Sequence, residues 1–177
     1  MSDDLQSITY FDPPHEIPLL DQIGKLRITA WCQRTGVSEE IKTKGKWLDD
    51  MDNSARHYIL KNQASELIGA ARVNFFDSVE KVDYISKFHF KKTMSGPIAV
   101  ISRLVILKEF SHRKLGREFD LLRINQIREM CASGILAIAG FYRLNELKCM
   151  GFQLAGPPFS ERELPNHVAF PVCNYLE

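Results

Sequence analysis

The spacing of hydrophobic residues predicts helices in the first half of the chain, with strands around them. Apolar positions recur every three to four residues over 17–35, so we expect a helix there that Gly36 closes. Gly45 is expected to open a second, shorter helix over KWLDDMDNSA. Three runs have strand-like composition: QSITYF, HYILKN and SELIGAARVNFF. The polar NQAS between the last two predicts a hairpin.

The second half alternates more clearly between strand and helix signals. AVISRLVIL is nearly continuous in apolar residues, as expected for a central strand that is covered on both faces. Residues 116–132 have helical periodicity. The remaining elements are, in order, the strand ILAIAG, the short helix FYRLNELKCM and the strands FQLAG and HVAFPVCNYL. Residues 77–96 are irregular and are expected to form a long loop or short helix over the surface.

This order of elements predicts an α/β (α+β) protein with a mixed sheet and helices on both of its faces, because strands and helices alternate through the second half. We find no internal repeat, low-complexity tract or linker in the sequence. Residues 1–177 are therefore expected to form a single domain.

Charge is distributed unevenly along a chain whose net charge is only +1. Residues 1–50 carry six Lys/Arg and nine Asp/Glu, whereas residues 91–130 carry nine and four. The near-neutral total argues against nucleic acid or an anionic membrane as partner. The local excess instead favours an anionic ligand bound within 91–130.

Other sequence features narrow the class of protein. No apolar run approaches the length of a membrane span, and the acidic MSDDLQ does not resemble a signal peptide. The four cysteines are far apart and have no metal-ligand spacing with the histidines, so we expect no metal site. They are expected to be reduced, buried thiols in a cytoplasmic protein.

The segment LKEFSHRKLGREFDLL concentrates positive charge where the apolar strand meets a helix. A helix N-terminus offers unpaired N–H groups, and Gly116 would let an anion approach the backbone. The basic residues available to hold it are Lys108, His112, Arg113, Lys114 and Arg117. A solvated loop that only promotes solubility is the competing interpretation.

The order of elements and this loop resemble the GNAT superfamily of N-acetyltransferases, whose loop Q/R-x-x-G-x-G/A holds the pyrophosphate of acetyl-CoA. The resemblance implies a mostly antiparallel sheet of about 6–7 strands. It places the pyrophosphate cradle within residues 111–118. Two registers of the motif fit this segment, one that begins at Ser111 and one that begins at Arg113. The cradle residues are Ser111, His112, Arg113, Lys114, Leu115, Gly116, Arg117 and Glu118. Backbone groups of Leu104, Val105 and Ile106 would pair with the pantetheine arm.

Two catalytic candidates also come from this resemblance. Many members carry a tyrosine four residues before a glycine that corresponds to Gly151, but Leu147 occupies that position here. Tyr142, at the start of the same helix, is the alternative acid for the leaving thiolate. Arg103 lies in ISRL, which resembles the N-acyl-homoserine-lactone and N-acyl amino acid synthases of the same fold. A structural ion pair between Arg103 and an acid among 49–52 remains equally open.

The resemblance implies an N-acyltransferase that moves an acyl group from acetyl-CoA or another acyl-CoA to a small-molecule primary amine. One alternative is a long-chain transferase supplied by acyl carrier protein, and another is a non-catalytic CoA-binding module. His167 and the acids Asp49, Asp50 and Asp52 are further candidates for the acceptor side, although surface or structural roles are open for each. A homodimer is also left open.

Overall fold

Eight strands pair into one sheet within residues 5–13 and 16–176, the parts of the chain that the computed structural model describes. They are β1 (Thr9–Phe11), β2 (Arg56–Lys61), β3 (Leu67–Phe76), β4 (Ile98–Ile106), β5 (Gly134–Gly140), β6 (Gln153–Leu154), β7 (Phe159–Ser160) and β8 (Val168–Tyr175). Their spatial order is β1-β2-β3-β4-β5-β8-β6, and β7 also pairs with β8. The β4–β5 pair is parallel, and the other pairs are antiparallel.

Helices cover both faces of this sheet. They are α1 (Ile17–Cys32), α2 (Glu39–Lys44), α3 (Leu115–Glu129) and α4 (Leu144–Cys149). On one face α1 packs Ile23 into a cluster with Val105 of β4. On the other face α3 packs Phe119 and Ile127 into a cluster with Ile101. The predicted mixed, mostly antiparallel architecture is confirmed, and the strand count reaches eight because two-residue strands extend the β8 edge.

The predicted helix after Gly45 is wrong. A helix precedes Gly45 instead, and Gly45 ends it with a left-handed φ of 69°. Ser38 caps the start of α2 by accepting a hydrogen bond from the backbone N–H of Ile41. Acids in the first turn and lysines in the last turn match the helix dipole. After Gly45 the chain forms only a 3-10 turn, Asp50–Asn53.

The exposure of the cysteines differs from the expectation. All four cysteines are free, but Cys32, Cys131 and Cys149 are exposed and only Cys173 is buried. The PPFSERELPN segment between the last two predicted strands contains β7. Most of MSDDLQ lies outside the described residues. Among the helices that the structure describes, none is long and apolar enough to cross a membrane.

A chain of ion pairs ties α1 to the sheet. Arg27 of α1 is fully buried and donates to both carboxylate oxygens of Asp52, at 2.8 and 2.9 Å. Arg72 of β3 lies 2.9 Å from the same carboxylate and 2.5 Å from Asp49. Arg103 of β4 extends the chain through a 2.9 Å contact with Asp49. Two carboxylates thus link three arginines from α1, β3 and β4, and the network keeps one net positive charge.

The carboxylates of this network remain ionised. Burial opposes the charge of Asp52, but its hydrogen bond to Arg27 and the charges of Arg27 and Arg72 outweigh it and hold its pKa well below the usual range. The same balance, with Arg72 and Arg103 as partners, lowers the pKa of Asp49. At neutral pH both acids are therefore fixed anions rather than groups that exchange protons.

Replacing Gly45 with alanine should reduce the free energy of unfolding by about 1 kcal/mol, because a Cβ strains the left-handed backbone. An added Cβ meets no atom within 4 Å, so steric overlap makes no contribution. Gly45→Asn should cost less, since asparagine adopts this conformation more readily. Urea denaturation measures both, and an alanine variant as stable as the original would contradict the assignment of Gly45 as the end of α2.

Asp52→Asn should destabilise the protein by roughly 3–5 kcal/mol at pH 7, because it leaves buried arginine charge uncompensated. The lowered folded pKa means that Asp52 stabilises above its unfolded pKa of about 3.9. That stabilisation is lost as the pH falls from there toward the folded pKa. The difference between the two proteins in urea denaturation should accordingly shrink as the pH drops below about 4.

The matched control for this prediction is Asp12→Asn. Asp12 also pairs with an arginine, Arg56, but its side chain is 55% exposed. Its replacement should cost about 0–1 kcal/mol. Equal losses of unfolding free energy in the Asp12 and Asp52 variants would show that the buried network stabilises the protein no more than an exposed ion pair does.

Candidate active site

A cleft opens where β4 and β5 stop pairing. The two strands are paired from Ile98 with Gly134 to Ile101 with Ala137. Beyond that point, residues 102–106 of β4 have no strand partner on the β5 side within the described chain. A cavity of about 760 Å³ occupies the gap, and both strands line it. One wall is therefore a stretch of strand backbone that a bound molecule can pair with.

A β-bulge in β4 accompanies this divergence. Two residues of β4, Arg103 and Leu104, face the single residue Ala71 of β3. Arg103 has a φ of 54°, which is unusual for a residue other than glycine. Because a bulge bends its strand and increases the local twist, it turns the end of β4 away from β5.

Arg123 of α3 supports the bulge from the neighbouring helix. Its buried guanidinium donates to the backbone oxygens of Arg72, at 3.2 Å, and Ser102, at 3.3 Å. Asp120, one turn earlier on α3, forms ion pairs with both Arg123 and Arg143. Burial lowers the pKa of Arg123, and the charge of Asp120 opposes that effect. The carbonyl groups at the bulge thus acquire a charged donor inside the protein.

The start of α3 meets the cavity at Gly116. Lys114 precedes the helix with a left-handed φ of 57°, and Gly116 and Ser111 line the cavity. The guanidinium of Arg143 lies directly over Gly116, so a Cβ at this position would collide with its Nη1. Arg143 also pairs with Glu146 at 2.7 Å. A side chain at position 116 would therefore displace the Arg143 guanidinium from this place.

The other residues of the predicted cradle take different positions. Leu115 is buried in the core. The Arg113 guanidinium lies over the ring of Phe110, 5.5 Å from its centroid. His112 borders a separate shallow depression with Lys108. The predicted cradle residues that do not line the main cavity are His112, Arg113, Lys114, Leu115, Arg117 and Glu118. All of them remain predicted cofactor ligands.

The predicted backbone contacts and catalytic candidates all border the cavity. They are Leu104, Val105, Ile106, Arg103 and Tyr142. Arg103 packs over the Trp47 ring, 4.1 Å from its centroid, while it pairs with Asp49. The structural alternative for Arg103 is thus present. Its side chain is still 18% exposed, so its substrate role also stays a prediction.

Tyr142 and His167 lie together at the end of β5. Tyr142 is 58% exposed, and its ring centroid is 6.3 Å from that of His167. His167 is buried edge-on against Trp31, at 5.0 Å, and its burial lowers the pKa of the imidazole. A Cβ on Gly140 would lie 2.5 Å from the His167 ring, so this approach requires glycine. Leu147, at the usual tyrosine position, is buried and cannot supply a proton.

The segment between β7 and β8 closes the cavity on the side of α1 and α2. The backbone oxygen of Glu163 accepts a hydrogen bond from Ser38 N at 2.9 Å. Asn166 donates to the backbone oxygen of Thr35 at 3.2 Å. Leu164 packs in an apolar cluster with Trp47. The loop thus bridges to the α1–α2 connection and forms a wall of the site.

Sequence reasoning did not single out several residues of this site. They are Trp31, Trp47, Tyr84, Arg143 and Glu161. The only sequence signal for Arg143 is its position directly after Tyr142 at the end of an apolar strand. The others come from loops and a helix end whose spatial proximity depends on the tertiary fold.

Solved structures of acyltransferases are similar in fold to the chain. A Lactobacillus plantarum protein assigned to the N-acetyltransferases has a TM-score of 0.67 and 12% identity, covering 98% of this chain and 99% of that one. The acyl-homoserine lactone synthase LasI has a TM-score of 0.68 and 18% identity, covering 98% and 89%. The CoA-dependent acyl-homoserine lactone synthase BjaI, solved with SAM and isopentyl-CoA, has a TM-score of 0.69 and 14% identity, covering 96% and 83%.

The sequence itself matches a protein family, although no curated protein matches it. The matching family is described as an acetyltransferase (GNAT) domain, and the match spans residues 26–117, just over half of the chain. These residues include the C-terminal part of α1 from residue 26, the bulged strand β4 and the start of α3. The chain belongs to the GNAT acetyltransferase domain family and has its acyltransferase fold.

Proposed function

We propose that this protein is an N-acyltransferase that transfers an acyl group from acyl-CoA to a primary amine by direct attack. The observation that carries the proposal is the cleft between β4 and β5, which opens beside the start of α3. An extended pantetheine arm can pair with the β4 backbone at 104–106, while its anionic end lies toward the N-terminus of α3. The similarity to BjaI, solved with isopentyl-CoA, supports a CoA-type donor.

Binding in this position would align the thioester for reaction. The amine nitrogen attacks the thioester carbonyl carbon, and a backbone N–H of β4 stabilises the oxyanion. The C–S bond then breaks, and Tyr142, at the rim of the cavity, donates a proton to the leaving thiolate. Arg103, held by Asp49 and Trp47, presents a fixed positive charge to the acceptor side. Direct transfer needs no acylated enzyme.

A longer acyl chain, delivered by acyl carrier protein, is the second candidate. The cavity extends along Ala137, Ile138 and Ala139 of β5 and reaches Tyr84 and Lys87 of the 77–96 segment. That is the region where a long-chain transferase requires space for its acyl group. We also propose a cytoplasmic location, which agrees with the free cysteines, Cys173 among them.

Titration with CoA, acetyl-CoA and decanoyl-CoA in a calorimeter tests donor binding. We expect all three to bind and to raise the melting temperature, because ligands that bind the folded state stabilise it. Arg113→Ala/Lys114→Ala should weaken CoA binding about tenfold or more, since each lost charge-assisted hydrogen bond is worth roughly 1.5–3 kcal/mol. Preference for decanoyl-CoA over acetyl-CoA would favour the long-chain candidate.

The control removes two lysines that lie away from the cavity. Lys42→Ala/Lys44→Ala changes the net charge equally, but both side chains pair with exposed acids of α2. This variant should bind CoA as the original protein does. If none of CoA, acetyl-CoA and decanoyl-CoA binds, the proposal is contradicted. Binding without release of CoA across a panel of amines would identify a non-catalytic module.

A further inference from the structure

Two half-buried carboxylates of the cavity, those of Glu161 and Glu163, have no side-chain partner among the described residues, and the first interacts with the charge of Arg103 across the cavity. Glu161 directly follows β7, whose pairing with β8 fixes where the chain enters the cavity wall. Its side chain is half-buried, and no hydrogen bond or ion pair joins it to another residue of the described chain. A half-buried acid that lines a cavity and has no internal partner is available to a bound molecule.

Three other acids of the cavity, Asp49, Asp120 and Glu146, differ in this respect. Asp49 is held by Arg72 and Arg103. Asp120 and Glu146 are both held by Arg143. An acid bound to arginine gains little by taking up a proton, because protonation would leave the arginine charge unpaired. The lowered pKa of Asp49 shows this effect, and the ion pairs of Asp120 and Glu146 occupy their carboxylates with Arg143.

The surroundings of Glu161 also make it more basic than an exposed glutamate. Burial raises the pKa of Glu161, and the negative charge of Glu163 on the same segment raises it further. The positive charge of Arg103 across the cavity lowers it in part. Glu161 also faces Tyr84 of the 77–96 segment. Burial raises the pKa of Tyr84 to about 12, and the charge of Glu161 makes a small contribution in the same direction. Lys87 of that segment lines the same cavity. A raised pKa suits a group that must take up a proton and then release it.

We propose that Glu161 is the general base of the acyl transfer, binding the ammonium group of the acceptor and removing its proton. This inference rests on the proposed function and extends it to the acceptor side. Because Glu161 and Arg103 both line the cavity, the amine would lie between the negative charge of Glu161 and the positive charge of Arg103. Acceptors without a protonatable amine would lose the contact with Glu161.

The proton and electron balance of this step is simple. The ammonium group gives one proton to Glu161 and becomes a neutral amine, whose lone pair forms the new C–N bond. The C–S bond breaks, and its electron pair leaves with sulfur as a thiolate. A second proton leaves the nitrogen as the amide forms, and the thiolate receives one through Tyr142. Glu161 returns its proton to solvent, so each turnover yields one amide, one free thiol and one proton.

Glu161→Gln, which preserves the size of the side chain, tests this role. Release of CoA thiol from acetyl-CoA is measured with benzylamine, putrescine and glycine, and the fastest of these acceptors is then used for kinetics. We expect kcat/KM at pH 7 to fall about 100-fold, within the usual range for general-base catalysis. The affinity for CoA and the melting temperature should stay unchanged.

The pH profile separates a base from a merely structural residue. A base works only when deprotonated, so the original protein should lose kcat/KM as the pH falls through the pKa of Glu161. In Glu161→Gln that limb should disappear. The rate should instead rise steadily toward alkaline pH, where solvent deprotonates the amine.

Glu163→Gln is the matched variant, because it removes the neighbouring carboxylate of the same segment. It should stay within threefold of the original rate and keep the acidic limb. The inference is overturned if Glu161→Gln retains both the rate and the limb, or if Glu163→Gln shows the loss instead. If the original protein neither binds CoA nor releases it with any of the three amines, the proposed function itself fails.

Discussion

The bulge in β4 is the constraint on which the rest of this structure depends. Insertion of Arg103 and Leu104 opposite Ala71 bends β4 away from β5 after only four parallel pairs. Without that bend, the two strands would continue to pair and would occupy the cleft with their own hydrogen bonds. The bulge creates the cavity at the centre of the sheet, where neighbouring strands hold its walls rigidly.

Charged groups maintain this irregular backbone on two sides. Arg123 donates to the carbonyl groups of Arg72 and Ser102, so the bulge buries few unsatisfied acceptors there. On the side of α1, the Arg72 side chain is held by Asp49 and Asp52. Since both arginines are almost fully buried, their charges are stable only with these partners in place. The ion pairs are therefore part of the architecture that keeps the cleft open.

The same network divides the acids of the cavity into two kinds. Asp49, Asp120 and Glu146 are bound by arginine, and for Asp49 this holds the pKa below its usual range. Glu161 lies outside the network on a loop that bridges β7 to the α1–α2 connection. Burial raises the pKa of Glu161, and in the proposed mechanism this lets it take up a proton from the acceptor amine.

Local sequence determined most elements of this fold. The continuous apolar run of β4, the helical periodicity of α3 and the charge around Gly116 predicted the strand, the helix and their junction, because burial and backbone conformation act over a few residues. The helix boundary at Gly45 was misplaced, although Ser38 and the charges of α2 contained the correct signal. Only the tertiary structure decided that Arg143 lies over Gly116, that Asp49 neutralises Arg103 and that Glu161 stands unpaired. The two contacts join residues that are 27 and 54 positions apart, and the unpaired state of Glu161 depends on the absence of a partner. Side-chain pairing over such separations follows from packing, which no local pattern encodes.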